Sequence, residues 1–536
     1  MVASANALAS AAGAEVLRRG GNAVDAVVAT AYALSVVEPY SAGIGGGGFL
    51  LYREAKTQKT WVIDYREVAP KGASRDMYLR DGKADPTLSL EGYLAVGVPG
   101  MVPGLAEAQA KLGKKKLAEV LEGAIDLAER GFRVDPSFYD DSVGRLDLLK
   151  KDPEASRVFL KSGAPIPVGE LLVQRDLART LRALKQEGPR LFTHGRVAQA
   201  IARASKQHGG VLALEDLQNF KARWREPLVG RYRGHEVITM PPPSSGGTHL
   251  LQILGLLEID RVKRGRQNDW RDWDDLHVLI ESMRLAYADR AVYLGDPAFV
   301  KVPLEALLSP AYLERRYAEI NLKKARPVAE IQAGKVGSGR PEPADTTHIS
   351  VIDAEGNAAS LTQSVNYGFG AGVIAPGTGV LLNNEMDDFS AAPGTPNAYG
   401  LIGGEANSIA PGKIPLSSMT PTIVTKDGKV RLVIGAPGGS TIITTVLQVI
   451  LHVVDHRMTI ERAITQPRIH HQWQPDLLRV ENGALDRPTR RALKTKGHQL
   501  KVARDSWGNA TGIEVLESGT RVGYADPRGI GAAVAE

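Results

Sequence analysis

The 536-residue chain contains no cysteine, which excludes disulfides, thiolate metal sites and a cysteine nucleophile. It has no run of about 18 apolar residues, so no segment is expected to span a membrane as a helix. A signal-peptide pattern is also missing: Met1 opens directly into an amphipathic, Ala-rich stretch with no basic region ahead of an apolar one. One-sided charge is scarce. The net charge is +6, and residues 346–536 carry 17 Lys+Arg against 17 Asp+Glu, which leaves the whole surplus in residues 1–345. A surplus spread over so long a segment reads as a solvated surface. The densest basic run, Lys114-Lys115-Lys116, has no interleaved aromatics, fits a helix start and argues against nucleic acid. No metal is expected either. His470 and His471 are adjacent in a strand-like stretch, so their side chains face opposite sides and make poor co-ligands.

What remains is an ordinary globular composition, 43% hydrophobic and 24% charged. The hydrophobic pattern predicts helix over residues 3–37 with a break at Gly20-Gly21-Asn22. A tight glycine loop at 43–48 leads into a strand at Phe49–Tyr52, and Trp61–Tyr65 alternates as a second strand ending at Arg66. That loop lacks a following Lys-Ser/Thr and precedes a strand, so it fits no phosphate-binding pattern. Residues 104–131 and 170–223 are mostly helical by periodicity. Pro241-Pro242-Pro243-Ser244-Ser245-Gly246-Gly247 is a rigid turn between a strand at Glu236–Met240 and a helix. Residues 323–345, rich in Gly and Pro with little apolar periodicity, read as a flexible linker. The linker ends at Asp345-Thr346-Thr347-His348, where a hairpin begins: His348–Asp353, a turn at 354–357, then Ala358–Val365. Val430–Ile434 is a strand, Gly435–Gly439 a turn, and Ser440–Asp455 a buried helix.

A flexible segment running into a Thr-led strand makes sense if the bond before Thr346 is cut. A freed N-terminal threonine carries its own base, because an α-amine with a pKa near ~8 can take the proton of its own hydroxyl. On that string alone, a Thr pair opening a strand is the commoner reading. Gly438-Gly439, ahead of a buried helix, offers two backbone N–H groups at a helix N-terminus, enough for an oxyanion hole. Arg66 with Ser417-Ser418 suits a carboxylate. Asn366 and the acidic string Asn383-Asn384-Glu385-Met386-Asp387-Asp388 suit an ammonium group. Each of these taken singly has a plain alternative as a turn, a surface arginine or an acidic loop.

Taken in order along the chain, these strings resemble the γ-glutamyltransferase family of N-terminal nucleophile hydrolases. The resemblance rests on Gly20-Gly21-Asn22-Ala23-Val24-Asp25-Ala26, Asp64-Tyr65-Arg66-Glu67, the Pro-Pro-Pro-Ser-Ser-Gly-Gly run and Thr346-Thr347-His348-Ile349-Ser350-Val351. It rests equally on Asn383–Ser390, Pro415-Leu416-Ser417-Ser418-Met419 and Gly435-Ala436-Pro437-Gly438-Gly439-Ser440. It implies an α+β fold, a four-layer αββα sandwich with two stacked, mainly antiparallel sheets between helices. It implies self-cleavage into a large subunit, 1–345, and a small subunit, 346–536, which stay together as a heterodimer building one structural domain. Carried over by motif, Thr346 is the nucleophile, Gly438 and Gly439 form the oxyanion hole, and Ser364 supplies the hydroxyl beside the nucleophile where relatives commonly have Thr. Arg66, Ser417 and Ser418 hold the substrate α-carboxylate, and Asn366, Glu385 and Asp388 its α-ammonium. Tyr399, in Pro393–Gly400, gates a lid loop. The implied reaction is transfer of the γ-glutamyl group of glutathione or other γ-glutamyl compounds to water, amino acids or peptides, with no cofactor. The within-family alternative is a cephalosporin or other acylase. The family points to a periplasmic or extracellular location, and the missing signal peptide leaves the cytoplasm open. Relatives have a short stretch before the Met1–Ser4 motif, so a first core strand is expected to be missing here.

Overall fold

The computed structural model describes all residues except 268, 270, 332–345 and 392–403. At its centre lie two antiparallel sheets. The first is seven-stranded, in the order Arg223–Arg225, Thr60–Asp64, Gly47–Arg53, Ala358–Ser364, Thr347–Ile352, Val2–Ser4 and Ala532–Val534. The second is six-stranded, in the order Leu228–Tyr232, His235–Thr239, Thr422–Lys426, Lys429–Gly435, Thr511–Val515 and Arg521–Ala525. Both sheets combine strands from 1–345 with strands from 346–536.

Alternation along Gly47–Arg53 explains how the sheets stack. Leu50 and Tyr52 point into one apolar core with the helices Ala7–Arg18 and Ala23–Val37. Phe49 and Leu51 point the other way, into a core shared with the second sheet and the helices Gly246–Arg264, Trp273–Tyr293 and Thr441–Val454. The layers therefore run helix, sheet, sheet, helix, the expected αββα sandwich. Helix Ala23–Val37 is buried at every position, which is why its sequence is apolar all round. Its start is fixed by a capping box in which the Asn22 side chain accepts from the Asp25 N–H and the Asp25 carboxylate accepts from the Asn22 N–H.

The structure departs from the sequence reading in two places. Residues 3 and 4, read as the start of a helix, are not helical: Val2–Ser4 is a strand pairing with both Thr347–Ile352 and Ala532–Val534. Three small residues carry no strand periodicity, and only the two neighbouring strands specify their conformation. Residues 323–331, counted with the linker, are packed. Ala325 N–H donates to the Lys496 carbonyl at 2.6 Å, Arg326 pairs with Glu319 at 2.6 Å, and Ile331 is buried. The stretches 104–131 and 170–223 are mostly helical as read, in several short helices interrupted at Gly113, Gly188 and Gly195.

Candidate active site

Thr346 immediately precedes the central strand Thr347–Ile352 and is 7% exposed. Its Oγ1 donates to Ser364 Oγ at 3.4 Å, across the hairpin from the last residue of Ala358–Ser364. Ser364 Oγ also accepts the Asn366 N–H at 2.7 Å. Asn366 adopts φ +78°, a conformation that asparagine tolerates better than most residues, and its amide donates to the Asn384 carbonyl at 3.0 Å. The next residue, Thr347, donates its hydroxyl to Glu38 at 3.0 Å. His348 is enclosed between the sheets, with Nδ1 2.8 Å from Thr362 Oγ1. Burial pushes its imidazole down to about 3, so it is a weak proton acceptor, and its ring nitrogens contact Thr362 and Ser350.

Around Thr346 a pocket gathers Arg66, Ser364, Asn366, Glu385, Asp388, Ser417, Ser418 and Gly439. They are delivered by several separate elements. Arg66 follows the strand Thr60–Asp64, where Asp64 accepts the Arg66 N–H at 3.0 Å and pairs with Arg225 at 2.6 Å. The Arg66 Nε donates to the Pro415 carbonyl at 3.0 Å. Its Nη1 lies 2.6 Å from Glu385 Oε1, within ion-pair distance but off the hydrogen-bond direction, and its Nη2 donates to Asp388. Glu385–Asp388 is one 3-10 turn, aimed by Asn383. The Asn383 Oδ1 accepts from the N–H groups of Gly97 and Glu385, both at 3.0 Å, and its amide donates to the Gly45 and Gly97 carbonyls at 2.8 and 3.0 Å. With Arg66 folded onto the carboxylates, the pocket holds only about 20 Å³, room for roughly one water.

One cation therefore faces several acids. Burial drives the Glu385 carboxyl up to about 8, against the pull of Arg66. Glu67, fully enclosed behind Arg66, is pushed well up by burial and by Glu385.

The Ser417-Ser418 pair is held by the Pro-Pro-Pro-Ser-Ser-Gly-Gly run. Ser245 donates to the Ser417 carbonyl through both its N–H and its hydroxyl, each at 2.8 Å. Behind them sits a residue the sequence reading passed over. Arg290, on helix Trp273–Tyr293, donates from Nε to Ser245 Oγ at 3.0 Å and from Nη2 to Ser418 Oγ at 3.4 Å. Burial lowers its guanidinium to about 10, still charged at neutral pH. Arg290 lies within a long, evenly buried helix, so no local pattern marked it.

Gly438 and Gly439 connect the strand Lys429–Gly435 to the helix Thr441–Val454. Gly438 has φ +126° and Gly439 φ +53°, and a Cβ on Gly438 would meet Thr441 Oγ1 at 2.4 Å. Among the described residues neither glycine N–H donates to a protein acceptor. Gly439 lines the small pocket, and Gly438 lines an adjoining cleft of about 750 Å³ that also opens at Thr346. Tyr399 and its loop lie outside the described residues, as does Asp345.

Among the described residues the one group of metal-ligand types is His277, Glu281 and His498, and its donor atoms are already used. The His277 ring is 2.7 Å from the His498 ring and 2.8 Å from the Asn321 carbonyl, and Glu281 pairs with Arg284 at 2.6 Å. His470 and His471 also have separate partners: His470 is 2.8 Å from Thr444, and His471 is 3.4 Å from Asp476.

Comparison with known proteins gives a consistent result. The family model described as gamma-glutamyltranspeptidase matches residues 9–536. A glutathione hydrolase proenzyme of Escherichia coli is 45% identical over 533 residues, spanning 99% of this chain and 90% of that protein. One of Bacillus subtilis is 40% identical, spanning 100% and 91%. Among solved structures, a cephalosporin acylase from Bacillus halodurans superposes with a TM-score of 0.87 at 29% identity, covering 100% of this chain and 95% of that one. This chain belongs to the gamma-glutamyltranspeptidase family.

Proposed function

We propose that this protein is a γ-glutamyltransferase and glutathione hydrolase that matures by cutting itself between Asp345 and Thr346. The observation that carries the reading is the charge arrangement of the pocket beside Thr346. One buried guanidinium and two serines face two carboxylates, a complement to the α-carboxylate and α-ammonium of a glutamyl group.

In maturation, the Thr346 hydroxyl attacks the Asp345 carbonyl. A C–O ester bond forms, the C–N bond breaks, and the nitrogen takes the hydroxyl proton. Water then hydrolyses the ester, leaving a free α-amine on Thr346. In turnover, that amine takes the proton from Oγ1 as the oxygen attacks the substrate γ-carbonyl. The N–H groups of Gly438 and Gly439 hold the oxyanion. Collapse expels the amine of cysteinylglycine, which takes the proton, and leaves a γ-glutamyl ester on Thr346. Water or an acceptor amine then attacks the ester, the glutamyl product leaves, and Oγ1 is reprotonated. Ser364 keeps the hydroxyl oriented, with a longer contact than an ideal hydrogen bond. Arg66, Ser417 and Ser418 bind the α-carboxylate, and Asn366, Glu385 and Asp388 the α-ammonium. The two segments remain together as a heterodimer. A periplasmic or extracellular location is part of the proposal on the family's account alone, and cell fractionation tests it.

Intact mass and N-terminal sequencing of the purified protein test maturation: a fragment beginning Thr346-Thr347-His348 is expected. Thr346→Ala is expected to give one uncut chain with no hydrolysis of a γ-glutamyl anilide; an uncut but active wild type would sink the mechanism. The acylase alternative is separated by Asp388→Ala. Because a side-chain acyl substrate lacking an α-ammonium gains nothing from this carboxylate, the variant should raise KM for γ-glutamyl substrates at least tenfold, equivalent to about 1.4 kcal/mol. An unchanged KM would favour the acylase.

A further inference from the structure

Two spaces open from Thr346. The small pocket takes the glutamyl head. An acyl carbon bound to Thr346 Oγ1 has its second substituent, the leaving or entering amine, on the other side. That side is the 750 Å³ cleft lined by Thr346 and Gly438 and, among others, by Arg479, Lys501, Arg504 and Trp507.

Glu38, Asp141 and Asp505 also line the cleft, but part of its wall carries closely placed cations. Arg479 lies on the strand Leu478–Val480 and is in register with Lys501 on the parallel strand Leu500–Val502. Like charges at directly paired positions repel, and among the described residues no carboxylate forms an ion pair with Arg479, Lys501 or Arg504. The nearby acid Glu481 is committed elsewhere: it pairs with Arg528 at 2.6 Å and accepts the Trp507 N–H at 2.8 Å. Arg479 is half-buried and its guanidinium sits 4.9 Å from the Trp507 ring centroid. The loop bearing Trp507 is anchored in turn, with Arg468 donating to the Gly508 carbonyl at 2.7 Å. The guanidinium is thus held in place against an aromatic face while, among the described residues, its polar edge has no protein acceptor.

We infer that this cleft is the site of the leaving and accepting peptide, and that Arg479, supported by Lys501, binds the terminal carboxylate of that peptide. The inference rests on the γ-glutamyltransferase reading. It makes Arg479 a specificity residue that distinguishes peptides and amino acids with a free carboxylate from neutral amines.

The test uses the matured enzyme and its Arg479→Met and Arg479→Lys variants. The first readout is the ratio of kcat/KM for glutathione to that for a neutral γ-glutamyl anilide. The second is the ratio of transfer to glycylglycine over glycylglycinamide. Arg479→Met should lower both ratios about tenfold through KM, and Arg479→Lys should restore part of the loss. Ratios equal to wild type in Arg479→Met would overturn the inference while leaving the glutathione hydrolase reading intact. If Arg479→Met does not fold or mature, wild type decides alone. A preference of tenfold or more for glycylglycine that weakens with added salt supports the site, and equal transfer to the amide overturns it. Failure of wild type to release γ-glutamyl groups from any of these substrates would instead refute the parent reading.

Discussion

A guanidinium that is 1% exposed has to keep its charge neutralised, and Arg66 does so chiefly with Asp388, while Glu385 lies against its other nitrogen. The consequence at the residue scale is a pH dependence. The Glu385 carboxyl, raised to about 8 by burial, is mostly protonated at pH 7. A substrate ammonium favours its charged form, so binding releases a proton and KM should fall as pH rises through about 8. In Glu385→Gln that inflection should vanish while kcat keeps its own pH profile. Calorimetry at pH 7 in buffers of different ionisation enthalpy should show proton release on binding for wild type alone. A wild-type KM flat between pH 6 and 9 would mean that Glu385 is already charged in the free enzyme. The sign for stability is opposite to that of an ordinary ion-paired acid. With the folded pKa above its usual 4.5, the contribution is present below about 4.5 and is lost as pH climbs through about 8.

At the scale of single elements, the strand Lys429–Gly435 ends on a glycine for a steric reason. A Cβ on Gly435 would meet the His348 Cε1 and Nδ1 at 2.3 Å, and His348 is fixed by Thr362 and Ser350. Gly435→Ala should therefore cost about 1–3 kcal/mol of overpacking, read as a lower thermal midpoint and less cut enzyme. Adding His348→Ala should recover part of that loss in a double-mutant cycle; strict additivity would show that the clash is relieved some other way. The elements also differ in how far the sequence disclosed them. The stretch 61–65 alternates, 49–52 is an apolar run behind a glycine loop, and the Thr346 hairpin has its glycine turn, so all were readable. Val2–Ser4 was not, because nothing within its three residues distinguishes it from the start of the following helix. The motif residues Arg66, Glu385, Asp388 and Ser417 do converge on Thr346. The supports behind them, Arg290 and Ser245, were illegible because their role arises only where separate elements meet. The same holds for Arg479 and Trp507, brought together by a parallel strand pair and a loop.

For the whole molecule, the cut proposed at 345–346 falls inside an interleaved structure. Thr347–Ile352 pairs with Val2–Ser4, Ala358–Ser364 with Gly47–Arg53, and Thr422–Lys426 with His235–Thr239. The apolar layer between the sheets takes residues from both segments. Neither segment can keep its sheets without the other. Native mass spectrometry of the cut protein should show the two fragments as one species that survives dilution, and calorimetry should show a single unfolding transition. Two resolved transitions, or a folded 346–536 fragment produced alone, would contradict this.

The closed contact between Arg66 and its two carboxylates also works as an exchange filter. A ligand bearing only a carboxylate takes the guanidinium and leaves the Asp388 carboxylate without its cation; one bearing only an amine strands the guanidinium. A zwitterion gives every displaced charge a new counterpart at once. Ligand discrimination here is thus conditional: each charged end gains from the pocket only when the other end is also present. Half-molecules such as 4-aminobutyrate amides or glutarate monoamides should consequently bind far more weakly than half their number of contacts suggests.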